Sequence, residues 1–172
     1  MTPGAKVQAS IELLLLISKD LAPSDAIMNN YFRQRRYAGS SDRRLIRESV
    51  YTVMRNRLKL DWHLQKIRLL TNNSSRSHVI TALVLIDRMN PQQISALFSG
   101  VKYSPIELDD NEKSYVLKLY GKPLLHDDMP RSVKFEYPDW MDHLVLESWG
   151  ERLERKSMRS INLHLSTLEL KL

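Results

Sequence analysis

Arg44, Arg47, Tyr51, Arg55 and Lys59 follow one another at intervals of 3, 4, 4 and 4 residues. In an α-helix that spacing puts the side chains along one side, roughly opposite the apolar Ile46, Val50 and Val53. Guanidinium forks match phosphate oxygens, so the chemistry offered is recognition of a polyanion. Arg33, Arg36, Tyr37 and Arg43 lie just upstream, around Gly39, and widen the patch. Residues 33–68 hold eleven Lys/Arg against three Asp/Glu, a net +8, while the whole chain carries +6. The remainder therefore sums to −2, and the positive charge is local. A concentrated basic surface is the footprint of a nucleic acid, with RNA the first candidate. Tyr37 and Tyr51 offer rings on which unpaired bases can stack. Plainer readings stand beside these. One arginine can lie over apolar surface, the row can be a solvated helix face, and Tyr51 can be half-buried. Against the solvated face, like charges at i,i+4 repel and cost stability without a counter-charge. Asp42 reads as a helix cap or an arginine's partner.

Other chemistry is sparse. His63, His78, His126, His143 and His164 show no i,i+4 pair, so no metal site is expected. Glu107, Asp109, Asp110 and Glu112 fit the acidic start of a helix. There is no cysteine, which removes disulfides, thiolate ligands and a thiol nucleophile. The five glycines are too dispersed for a phosphate-cradling loop, and no nucleophile elbow or triad order is present.

A chain of 172 residues, 42% apolar and 27% charged, is that of an ordinary globular domain, with or without an appendage. No signal peptide is visible, and the run Leu13–Ile17 is too short to span a bilayer; a cytoplasmic location is expected.

The elements that must position the basic residues read as nearly all helix. Thr2-Pro3 caps a first helix running to about Leu21. Ser24 caps a second, which stops before Gly39. Ser41 or Asp42 caps a third, long helix, with a stripe of Ile46, Val50, Val53/Met54, Leu58 and Trp62 and further apolar positions at Ile67 and Leu70. A loop over residues 71–75 precedes a fourth helix carrying Val79, Ile80, Leu83, Leu85, Ile86 and Met89. Asn90-Pro91 starts a fifth, and a sixth lies around Asp109 to Leu119. Residues 121–137 read as loop. Pro138-Asp139-Trp140 opens a seventh helix ending at Gly150, and residues 151–160 suggest one more. Leu168, Leu170 and Leu172 alternate with polar residues, a strand signal with no partner strand elsewhere in the sequence. The expectation is an element that once continued or that pairs with another chain.

The opening Met1-Thr2-Pro3-Gly4-Ala5-Lys6-Val7-Gln8-Ala9 with Ile11-Glu12-Leu13-Leu14, the block Tyr31-Phe32-Arg33-Gln34-Arg35-Arg36-Tyr37-Ala38-Gly39-Ser40-Ser41-Asp42-Arg43-Arg44, then Val50-Tyr51, Met54-Arg55 and Leu60-Asp61-Trp62 resemble RsmB/Sun (Fmu)-type ribosomal RNA small-subunit cytosine-5 methyltransferases. Pro138-Asp139-Trp140, Trp149-Gly150 and Leu153 resemble the helix pair before that family's catalytic region, and residues 167–172 its next strand. The resemblance implies an all-α, NusB-like bundle of about six to eight helices with a truncated C-terminal strand. It implies a domain over residues 1–137, a helical linker over 138–166, and the start of the strand at 167–172. In that family the helical region binds RNA, and a downstream Rossmann-like domain binds S-adenosylmethionine and attacks cytosine with a cysteine thiolate. With no cysteine here, no catalytic or cofactor residue carries over, and the chain is not expected to methylate RNA alone.

The expected function is an RNA-binding module with ribosomal RNA as partner and neither metal nor membrane. Its contacts would be Arg33, Arg36, Arg43, Arg44, Arg47, Tyr51, Arg55 and Lys59. The alternatives are a scaffold docking a separately encoded methyltransferase domain or an antitermination-like partner, or a decayed remnant.

Overall fold

The computed structural model describes residues 1–67 and 74–149. Among them every regular element is helical, and the architecture is an all-α bundle. In order come α1 (Pro3–Lys19), α2 (Ser24–Gln34), α3 (Ser40–Arg55), α4 (Arg57–Lys66), α5 (Ser74–Leu85), α6 (Pro91–Leu97), α7 (Asp110–Leu119), α8 (Arg131–Phe135), a 3₁₀ turn at Asp139–Met141, and α9 (Asp142–Trp149). The described residues divide into two compact units, Met1–His126 and a second that begins at Asp127. This division precedes the expected one after Tyr137. Residues 131–135, read as loop, form α8, and the Ser132 hydroxyl ties it to Asp139 at the 3₁₀ turn.

Within the first unit α5 is the central helix. It packs against α1, α3, α4, α6 and α7, and Ser75 through Leu85 are all buried. A helix enclosed on every side needs apolar residues all round, and Val79, Ile80, Ala82, Leu83, Val84 and Leu85 supply them. α1 is the second hub, touching α2, α3, α5 and α6. Leu13, Met28, Phe32, Ile46, Val50, Leu60, Ile80, Ile94 and Phe98 are each no more than 2% exposed. Burial of each such side chain contributes roughly 1.5–3 kcal/mol before ordering entropy is subtracted. Gly4 lets α1 approach α6 closely: a Cβ there would lie 2.8 Å from the Leu97 carbonyl oxygen.

Several helix ends follow local chemistry. The Thr2 hydroxyl accepts the Ala5 N–H, with Pro3 in the first turn. Asn90 with Gln93 and Asp109 with Glu112 form reciprocal capping boxes at α6 and α7. Two expected caps differ. α2 begins at Ser24 itself, with Pro23 at its cap and no side-chain cap bond. α3 begins at Ser40 behind Gly39, also without a side-chain cap. Asp42 is instead drawn to the Met1 ammonium at 2.8 Å and to Lys6 at 3.7 Å. The hydrogen bond from that ammonium, the largest cause, holds the carboxyl below its ordinary range.

The expected long third helix is two helices. Asn56 adopts φ −117°, ψ 20°, and its side-chain amide donates to the Thr52 carbonyl at 2.9 Å. It thus competes with the backbone for the last turn of α3 and ends it. The buried stripe shifts with the break: beyond it Leu60, His63 and Leu64 are buried, while Leu58 and Trp62 are only half-buried. α5 starts at Ser74, inside the stretch read as a loop. Leu70, the helix expected over 151–160 and the strand expected over 167–172 lie outside the described residues. No described helix is long and apolar enough to cross a membrane.

Candidate nucleic-acid interface

The corner between α2 and α3 is built on Tyr31 and Phe32, two buried rings in the last turns of α2, edge to face with centroids 5.5 Å apart. Three guanidinium groups converge on this pair. Arg35 Cζ lies 3.7 Å from the Tyr31 ring centroid, and those of Arg47 and Arg43 lie 5.2 Å and 5.9 Å from that of Phe32. A cation over an aromatic face is attracted by the ring quadrupole. Each cation also has a polar partner. Arg35 Nη2 reaches Glu12 Oε2 at 3.3 Å, and the same oxygen accepts the Tyr31 hydroxyl at 2.7 Å. Burial, then that carboxylate, pushes the Tyr31 phenol well above its ordinary value. Arg43 Nε donates to the Ala38 carbonyl at 2.7 Å. Arg47 Nη2 donates to Asn29 Oδ1 at 2.7 Å, and Nη1 stands 3.7 Å from Asp25 Oδ1. The Tyr51 hydroxyl donates to the same Asp25 oxygen at 2.5 Å, which raises its own pKa. Arg43, Arg47 and Tyr51 therefore help to clip α3 to its neighbours.

Four arginines remain outward. Arg33, Arg36, Arg44 and Arg55 are exposed, and among the described residues none has a carboxylate oxygen within 4 Å. Arg33 has a neutral partner, Asn30 Oδ1, at 2.9 Å. Arg36 and Tyr37 sit at the tip of a tight turn closed by the Ala38 N–H to the Arg35 carbonyl at 3.1 Å. Lys59 is placed differently from the sequence expectation. It lies beyond the Asn56 break, in α4, and is only 9% exposed, so it does not continue the open row. What the arrangement offers is exposed guanidinium groups without carboxylate partners among the described residues, Arg33, Arg36 and Arg44 around the α2–α3 corner and Arg55 at the far end of α3, each suited to phosphate oxygens.

Arg35 was not among the residues singled out from the sequence. Its role depends on Glu12, 23 positions away in sequence, and only the arginine-dense stretch hinted at it. The remaining buried polar groups serve structure. Arg76 pairs with Glu112, and His78 Nε2 lies 2.6 Å from Asp61 Oδ1. His63 Nε2 meets the Leu124 carbonyl at 3.0 Å. Burial above all lowers the His63 pKa, aided by His126 and Lys122 and opposed by the carbonyl. Among the described residues no three His, Asp or Glu side chains gather where a metal ion could be held.

Comparison with family models, with curated proteins and with solved structures finds no match.

Proposed function

We propose that this chain is an RNA-binding module, the NusB-like helical part of a ribosomal RNA cytosine-5 methyltransferase. The observation that carries the reading is the set of outward Arg33, Arg36, Arg44 and Arg55, exposed and without carboxylate partners among the described residues. Exposed cations without a counter-charge favour a polyanion. The family resemblance adds to it. Tyr31, Phe32, Arg35, Ala38 and Arg43, which hold the corner together, all belong to the resembling block 31–44. In that family S-adenosylmethionine is held by a downstream Rossmann-like domain. The RNA-binding reading gives the described residues no part in methyl transfer.

The test is fluorescence anisotropy with a labelled ribosomal RNA fragment. Arg36→Glu with Arg44→Glu should weaken binding about tenfold or more. Equal affinity of wild type and double variant would remove the corner from the interface.

A protein-docking scaffold is the second reading. Val101, Tyr103, Ile106 and Leu117 are 61–74% exposed on and beside the α6–α7 connection, and apolar exposure of that kind often marks a partner surface. A separately encoded methyltransferase domain or an antitermination-like protein would be the partner. Pull-down from lysate before and after nuclease treatment separates the readings, since a nuclease-resistant protein partner favours the scaffold.

A further inference from the structure

Resting on the RNA-binding reading, we infer that Tyr37 is a stacking platform for one unpaired base, so that the α2–α3 corner takes single-stranded RNA in preference to duplex. Tyr37 is 69% exposed, and among the described residues no aromatic ring or guanidinium is stacked on it. Large aromatic rings usually contribute by burial, and this one is instead held out at the tip of a turn. The turn is fixed from both ends. On one side Arg35 is anchored by the Tyr31 ring and by Glu12. On the other, Ala38 is 2% exposed and its carbonyl accepts Arg43 Nε at 2.7 Å. The Ala38 N–H closes the turn on the Arg35 carbonyl. Two inward arginines thus hold the backbone that presents Arg36 and Tyr37 outward. Such preorganisation lowers the ordering cost of binding, and a tyrosine has only two torsions to fix.

Tyr51 does not compete for this role, because its hydroxyl is committed to Asp25 and its ring packs against the core. Tyr37 beside Arg36 combines a π-face with a phosphate ligand on adjacent residues. Single strands are bound by this combination, since their bases are free to leave the stack. Bases inside a duplex present edges rather than faces, and an isolated surface ring has nothing to stack on.

The experiment is an anisotropy titration of the full chain with a labelled RNA of about ten nucleotides and with the duplex of the same sequence. Wild type should favour the single strand. Tyr37→Ala should weaken single-strand binding about 5- to 150-fold, leave duplex binding unchanged, and keep the same salt slope because no charge is lost. Tyr37→Trp should retain single-strand affinity. Arg36→Gln should instead lower the slope by about 0.7. Thermal unfolding of Tyr37→Ala should match wild type, and a lowered Tm would mark a structural role and overturn the inference. Equal loss on both RNAs, or none on the single strand, would also overturn it while leaving RNA binding intact. Wild type binding neither RNA would bring down both.

Discussion

Arg76 of α5 grips Glu112 of α7 with two parallel bonds, Nε to Oε1 at 2.6 Å and Nη2 to Oε2 at 2.8 Å, where both side chains are about nine-tenths buried. Arg76 Nη2 also donates to the Ile106 and Glu107 carbonyls at 3.0 Å and 3.2 Å, and Glu112 caps its own helix by accepting the Asp109 N–H. One ion pair therefore ties the central helix to α7 and to the segment before it. Removing one partner strands a charge. Glu112→Ala should destabilise the fold by about 3–5 kcal/mol, measured by urea unfolding. Arg76→Met combined with Glu112→Leu should cost less than the two single changes summed.

Acid should loosen the contact between α4 and the segment after α7. The His63 pKa lies below its unfolded value of about 6.5, chiefly through burial. A depressed histidine pKa means that the unfolded chain binds the proton more readily. Its stabilising contribution is present above pH of about 6.5 and is lost as pH falls through the folded value. Urea midpoints should therefore fall on acidification through this window, and His63→Gln should flatten that part of the profile.

Gly4 and Gly39 should respond oppositely to a side chain. At Gly4 a Cβ would press on the Leu97 carbonyl oxygen at 2.8 Å. Gly4→Ala should lose about 1–3 kcal/mol of stability even though alanine favours helices. At Gly39, φ −67° suits any residue, and nothing lies within 4 Å of a Cβ. Gly39→Asp supplies the missing cap of α3 and restricts the unfolded chain, for a gain of about 0.5–1 kcal/mol. Thermal unfolding of both variants measures the difference.

Patterns set by near neighbours were legible in the sequence: the helix start at Thr2-Pro3, the helix start at Asn90-Pro91, the acidic start of α7 around Asp109 and Glu112, and the Ile46/Val50/Val53 stripe. The end of α3 was not, because the apolar spacing runs on through Leu58 and Trp62 while the break comes from the Asn56 side chain binding the Thr52 carbonyl. The buried polar start of α5 was equally hidden, since Arg76 and His78 find their partners 36 and 17 residues away. The candidate interface divides in the same way. The arginine-dense stretch itself was readable from charge density. The inward placement of Arg35 and Arg47 depends on Glu12 and Asn29, 23 and 18 residues away, which local spacing cannot supply.

The salt dependence of RNA binding tests the central claim most directly. Four outward arginines meeting four phosphates of a single strand give a slope of log affinity against log salt of about −2.8. Titration of the wild-type chain between about 50 and 200 mM salt should return that slope, and Arg36→Gln with Arg44→Gln should halve it to about −1.4. An unaltered slope in the double variant would contradict the account.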